Sequence, residues 1–148
     1  MNGLTKRQPP EKCALFLHFN SNIYAIAEDN EGTVWMGSRG EGLRIGDKWY
    51  TNQSGNASSI SNNNIFILYC DQKGRMWIGT FGGGLDLAVK GKNGYTFRHF
   101  LNKSFGQRRT RAIMEDKNGW MWIGNSDGVS VFHPDSLIAN STNYLTYN

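Results

Sequence analysis

Two cysteines, three prolines and an absence of long apolar stretches remove several classes of protein at the outset. The longest uninterrupted apolar run covers residues 65–70, far short of the roughly 20 residues that span a bilayer. Residues 1–12 are polar, include Pro9 and Pro10, and offer no apolar core for a signal peptide. Cys13 and Cys70 have no partner motif. Both read as strand residues in apolar surroundings, the usual place of a free cysteine, and they leave the redox compartment open. His18, His99 and His133 fall near the outer strands of successive units and lack the spacing of metal ligands, so no metal site is expected. The net charge of +4 is spread along the chain. Its one basic cluster, Arg108, Arg109 and Arg111, has little aromatic interleaving and no groove-reading helix, which argues against nucleic acid. No serine or cysteine sits on a nucleophile elbow and no carboxylate pair stands apart from turn acids. No catalytic residue and no cofactor is expected.

What the sequence does have is repetition. Residues 26–37, 68–79 and 113–124 are three versions of one pattern, with Asp29-Asn30-Glu31-Gly32, Asp71-Gln72-Lys73-Gly74 and Asp116-Lys117-Asn118-Gly119 each followed by Trp35, Trp77 or Trp122 and then Gly37, Gly79 or Gly124. The tryptophans are 42 and 45 residues apart (77 − 35 and 122 − 77). A period of roughly 40–45 residues with strands inside it marks the blades of a β-propeller.

Each unit reads as four short strands, with no convincing helical periodicity anywhere. In the second unit an apolar run at residues 64–69 reads as a strand buried on both sides. The Asp71–Gly74 turn follows, because Asp favours the first turn position and Gly accepts a positive φ. Residues 75–80 alternate as a second strand, Leu85-Asp86-Leu87 form a third, and residues 95–100 form the outer strand after a loop at 90–94. The outer strand recurs at Lys48-Trp49-Tyr50 and at residues 143–147. The fold class is all-β: three four-stranded antiparallel blades of a partial propeller. The expected organisation is a polar segment at 1–12, the outer strand of a preceding blade at 13–20, and blades at 21–52, 60–102 and 108–148. Propellers close with about four to eight blades, so we expect a piece of a longer chain, completed by its remaining blades or by self-association.

The repeated residues have structural readings. Trp35, Trp77 and Trp122 are large enough to fill the gap between blades. A side chain at Gly37, Gly79 or Gly124 would crowd the next sheet. Asp29, Asp71 and Asp116 cap their turns, with Gly32, Gly74 and Gly119 completing them. The glycine cluster at residues 79–84 is a β-turn and not a phosphate loop, since a strand and not a helix follows it. Four glycosylation sequons, at Asn52, Asn56, Asn102 and Asn140, read as chance in Asn- and Ser-rich loops.

The pattern Glu-Asp-x-x-Gly-x-x-Trp-x-Gly, followed by a glycine-rich turn and Leu, resembles the two-component regulator propeller repeat, most closely over residues 71–85, and the resemblance extends over about residues 14–148. The first copy departs at Met36, Ser38 and Glu41, and the third has a turn one residue shorter at residues 125–129. The resemblance implies a parent of a particular kind: the periplasmic sensor region of a membrane-bound hybrid histidine kinase, Bacteroides-type, that detects polysaccharide breakdown products. Such parents carry two seven-bladed propellers, a further β-domain, a membrane helix, and kinase and DNA-binding modules. None of those later parts is legible here, so this chain is expected to be non-enzymatic, periplasmic by resemblance, and without direct membrane contact.

Propeller geometry puts the loop leading into each inner strand and the turn between second and third strands on one face. That face would carry Arg39, Glu41, Asn62, Asn63, Phe81, Arg109, Arg111 and Asp127. Arg and Asn suit sugar hydroxyls and uronate carboxylates, and Phe81 could stack on a sugar ring. The plain alternative is a solvated rim. The leading expectation is an oligosaccharide-sensing module; the second is a structural or protein-interaction module that forms a dimer surface; the third is a propeller lyase.

Overall fold

The computed structural model describes residues 20–101 and 109–147. Cys13, His18, Arg108, the expected strand at 13–19 and the sequon at Asn102 lie outside them. The chain is all-β, in three sheets that are each a four-stranded antiparallel meander. The first sheet contains β1 (Ile23–Glu28), β2 (Val34–Ser38), β3 (Leu43–Ile45) and β4 (Lys48–Tyr50). The second contains β5 (Ile65–Cys70), β6 (Met76–Thr80), β7 (Leu85–Gly91) and β8 (Gly94–Phe100). The third contains β9 (Ala112–Glu115), β10 (Met121–Gly124), β11 (Val129–Phe132) and β12 (Leu145–Tyr147), with one short helix, α1 (Pro134–Ala139), between the last two. The inner strands are neighbours, β5 lying beside both β1 and β9. Among the described residues no helix is long and apolar enough to cross a membrane.

Turn chemistry sets the strand boundaries. In each unit the carboxylate of the turn aspartate accepts the backbone N–H two and four residues on: Glu31 and Thr33 on Asp29, Lys73 and Arg75 on Asp71, Asn118 and Trp120 on Asp116. Gly32, Gly74 and Gly119 adopt φ of 81°, 79° and 83° at the same place in the turn, where an L side chain would be strained.

Two apolar cores lie between successive sheets. Trp35, Leu43 and Ile45 of the first sheet pack with Met76, Ile78 and Phe97 of the second. Trp77, Leu87 and Phe100 on the other face of the second sheet pack with Met121, Ile123 and Phe132 of the third. Gly37 and Gly79 permit this approach. A Cβ on Gly79 would stand 2.7 Å from Thr110 Cγ2, and one on Gly37 would collide with Ile65 of the next sheet.

Several expectations need correction. Trp35 and Trp77 are 1% and 0% exposed, but Trp122 is 41% exposed, because no fourth sheet covers it among the described residues. Gly124 is uncrowded for the same reason, its nearest neighbour being Ala112 Cβ at 3.5 Å from a built Cβ. The inner strands are not buried on both faces: β1 alternates half-buried and exposed residues, and only Ile65 of β5 is fully buried. Among the described residues β1 has a sheet against one face alone, whereas β5 lies between two neighbours. The hairpin of the second unit is longer than expected, since β7 and β8 stay paired to Gly91 and Gly94 and the expected loop shrinks to Lys92 and Asn93. Cys70 is half-buried, its Sγ 3.8 Å from Asn30 Oδ1, and burial pushes its thiol pKa up.

Helix α1 was not legible, because six residues are too few to show a period of 3.6. It starts at Pro134, which cannot donate a backbone hydrogen bond and suits the first turn. It buries Leu137 in the second core. Asp135 ties the helix to the preceding unit through Lys73 Nζ (2.6 Å) and Arg75 Nη1 (2.7 Å). His133 consequently precedes a helix and does not sit beside an outer strand; its ring meets Trp120 edge-on. The outer strand of the third unit starts at Leu145, two residues later than expected, because Asn143 and Tyr144 form the turn that leaves the helix.

Candidate ligand-binding site

The inner strands β1 and β5 share an irregularity. Their pairing with β2 and β6 shifts register between Ile23 and Ala25 and again between Ile67 and Ile65. The extra residue at each bulge is aromatic, Tyr24 and Phe66, each five positions before its turn aspartate. A bulge re-aims a side chain out of the regular alternation. The two rings stack at 4.9 Å with planes 13° apart. Phe81, in the turn after β6, meets Phe66 edge-on at 6.2 Å. Arg109 pairs with Phe81 as an isolated β-bridge, and its guanidinium lies 4.8 Å from the Phe81 ring and 5.8 Å from the Phe66 ring. A row of aromatic faces ending in a cation is therefore built from two strands, one turn and one connecting segment.

The structure brings some expected residues into this row and assigns others elsewhere. Phe81 and Arg109 meet. Arg111 occupies in the third unit the position of Tyr24 and Phe66, and is exposed. Arg39 is exposed on the first turn, paired with Asn64 as a β-bridge. Asp127 is exposed on the third turn, where its N–H donates to Asn125 Oδ1. Glu41 is used internally: its carboxylate accepts Asn20 N–H and Ser21 O–H. Asn63 is likewise engaged, its Oδ1 accepting Asn52 N–H at 2.7 Å while its carbonyl accepts the N–H groups of Gly40 and Gly42. Asn62 Oδ1 accepts Asn64 N–H. Glu41 thus holds the segment that enters β1, Asn62 and Asn63 hold the connection between the first two units, and all three are poor candidates for ligand contact.

Tyr24 and Phe66 were missed by sequence reasoning. The signal available was an aromatic at one shared repeat offset, but a bulge is not visible in a run of apolar residues. Three clefts, of about 340, 330 and 270 Å³, lie elsewhere: beside Trp49 and Tyr50 at the outer rim, between the Asp29 turn and Lys73, and between Gln72 and His133. None of these three contains the aromatic row, which lies on an open surface. Among the described residues no three His, Cys, Asp or Glu side chains converge as a metal site would need.

The repeat sheets, the Asp–Trp turns and their spacing find a match among known families. A family described as Two component regulator propeller matches residues 18–40, 59–82 and 104–127, one segment for each unit. The chain belongs to that family. No curated protein matches it significantly. Among solved structures, the extracellular domain of the hybrid two component system BT3049 from B. thetaiotaomicron is 29% identical, with a TM-score of 0.63 over 85% of this chain and 17% of that one. The extracellular domain of BT4673 from the same organism is 22% identical, with a TM-score of 0.67 over 88% of this chain and 19% of that one. Virginiamycin B lyase from Staphylococcus aureus shares the fold at 15% identity, with a TM-score of 0.55 over 88% of this chain and 42% of that one. The propeller chain thus spans less than a fifth of the length of the two sensor domains.

Proposed function

We propose that this propeller chain is a non-enzymatic part of the extracytoplasmic, periplasmic sensor region of a two-component histidine kinase, and that it contacts an oligosaccharide through Tyr24, Phe66, Phe81 and Arg109. The observation that carries the reading is the bulge-aimed aromatic row with Arg109 at its end. Aromatic faces suit the apolar C–H face of a sugar ring, while a guanidinium suits hydroxyls or a uronate carboxylate. Arg39 and Arg111 add donors on exposed backbone nearby in the repeat. Family membership and the BT3049 likeness support the sensor setting.

The test is calorimetric titration of neutral and uronate-containing oligosaccharides into the complete sensor region, with Phe81→Ala and Arg109→Ala variants. Loss of binding by at least about tenfold in either variant, without loss of fold, supports the site; unchanged binding in both removes it.

A second reading, a protein-interaction module, is favoured by one observation. Met114, Trp122, Val131 and Leu145 stand in cross-strand register on the far face of the third sheet, and Met114, Trp122 and Leu145 are 53%, 41% and 60% exposed. The equivalent row of the second sheet, including Trp77 and Leu87, is buried under the third. By that repeat relationship the occupant of the open face is a further propeller sheet.

A further inference from the structure

The third and fourth strands of each unit place one cross-strand pair at the same register: Arg44 opposite Trp49, Asp86 opposite His99, Ser130 opposite Thr146. In the third unit the pair is a neutral hydrogen bond between hydroxyls at 3.0 Å. In the second it is a carboxyl and an imidazole. Asp86 is fully buried. Its Oδ2 accepts Ser61 N–H at 2.8 Å, but its Oδ1 has no hydrogen-bond partner. His99 Nε2 stands 3.9 Å from that oxygen. That nitrogen donates instead to the Ser59 carbonyl at 2.7 Å.

Both partners of this pair therefore hold the same segment, the connection 51–64 that leads from β4 to β5. The segment contains no charged residue, so its anchoring depends on what it meets. Ile60 is buried in the first core and Phe97 N–H donates to the Ser58 carbonyl. These attachments do not titrate. The Ser59 attachment does, because His99 Nε2 carries one hydrogen and faces two acceptors. With Asp86 protonated, a neutral carboxyl leaves that hydrogen to Ser59. With Asp86 ionised, a buried charge keeps one oxygen without a hydrogen bond, the costliest of the alternatives. It draws the His99 N–H away from Ser59.

The surroundings supply no other compensating charge. β6 and the connection have no ionisable side chain, and β8 contributes His99. Lys90, on the same face of β7, is paired with Glu31 at the far end. Across from the first sheet, Lys48 donates to the Asn93 carbonyl, and Tyr50 accepts Tyr95 N–H. Arg98 donates to the Ile138 carbonyl in the third unit. Burial, partly offset by the Ser61 N–H and by His99, pushes the Asp86 carboxyl up to about 6.

We infer that Asp86 and His99 form a pH-sensitive latch, which holds the 51–64 connection onto the second sheet while Asp86 is protonated and releases Ser59 as that proton leaves. The connection supplies Gln53, Asn56 and Ser58 to the 340 Å³ cleft at the outer rim. Through Asn63 it also fixes the first turn. Acidification thus tightens, and neutral pH loosens, the joint between the first two sheets. The inference does not depend on the oligosaccharide reading.

The experiment is backbone hydrogen exchange over residues 52–63 at pH 5 and pH 7.5, corrected for intrinsic exchange, in the wild-type chain and in Asp86→Asn. The expected result is a fall in wild-type protection of about tenfold or more between the two pH values, while Asp86→Asn shows no such fall. Equal wild-type protection at both pH values overturns the latch, as does an Asp86→Asn chain that keeps the pH dependence. Should Asp86→Asn fail to fold, carbon-13 NMR of the wild-type Asp86 carboxyl decides. Titration near 6 accompanied by a shift of the His99 ring supports the latch, and titration below about 4.5 overturns it.

Discussion

Asp71 Oδ2 accepts the indole N–H of Trp77 at 2.9 Å, inside a core where both side chains are almost fully buried. The same carboxylate orders the turn through Lys73 N–H and Arg75 N–H and pairs with Arg75 Nε at 2.6 Å. One aspartate thus fixes both the hairpin and the orientation of the tryptophan that fills the gap between sheets. The bond recurs between Asp29 and Trp35 at 2.8 Å and between Asp116 and Trp122 at 3.0 Å. Burial raises the Asp29 carboxyl, but hydrogen bonds from the Trp35 indole and the turn amides outweigh it and hold the pKa below the ordinary value.

Asp71→Ala leaves a buried indole N–H, two turn amides and Arg75 without their acceptor. A buried unsatisfied donor costs about 1–3 kcal/mol, so the substitution is expected to lower unfolding stability by about 2–4 kcal/mol. Asp116→Ala removes the two turn-amide bonds and the indole bond, with no arginine pair, where Trp122 is open to water, and should cost clearly less. Urea unfolding followed by tryptophan fluorescence compares the two; equal losses would refute the role of burial.

Gly79→Ala and Gly124→Ala make a second pair at one repeat position. At Gly79 the new Cβ stands 2.7 Å from Thr110 Cγ2 and 3.3 Å from Ile67 Cβ, while at Gly124 the nearest atom is 3.5 Å away. Overpacking of this kind costs about 1–3 kcal/mol. Gly79→Ala should lower the thermal midpoint by several degrees, and Gly124→Ala should leave it nearly unchanged.

Asp86 gives the stability a pH dependence of unusual sign for a carboxylate. Its folded-state pKa is raised from 3.8 to about 6, so its protonated form is favoured by folding. The contribution is fully present below the unfolded value and is lost as pH rises through the folded one. The expected fall in stability between about pH 4 and pH 6 is on the order of 3 kcal/mol. Asp29, Asp116 and Asp135 are held low, Asp135 at about 2 by hydrogen bonds from Lys73 and Arg75, so their contributions fade only further into acid. Asp86→Asn should abolish the fall and exceed the wild type at pH 7.5 in urea titrations.

The far face of the third sheet should make the isolated chain associate. Light scattering during size-exclusion chromatography is expected to show a mass above the monomer that rises with concentration, and Trp122→Lys with Leu145→Lys should reduce it. A sharp monomer at all concentrations would contradict the exposed-row reading and its proposed occupant.

The sequence carried the repeat and its chemistry well. Asp71, Gly74, Trp77 and Gly79 announced a turn, a filler and a close approach, because each of those roles restricts residue type. It carried the candidate site poorly. Arg109 and Phe81 were legible as loop residues, whereas Tyr24 and Phe66 looked like ordinary members of apolar strands until register shifts turned them toward each other. Glu41 and Asn63 looked free because polar loop residues give no sign of which backbone groups they serve. His99 looked idle because its partner Asp86 lies thirteen residues away across a hairpin whose register is not written locally.

Repetition with a period near 42–45 residues was therefore enough to determine the all-β class, the four-stranded unit and the Asp–Trp–Gly scaffold, since each depends on chemistry within one unit. Which tryptophan is buried, which bulge aims an aromatic ring outward and which carboxyl loses its solvent were decided only by sheets stacking on sheets. Those properties arise from contacts between units, and the same residue at the same repeat position acquires a different environment according to what lies against its sheet.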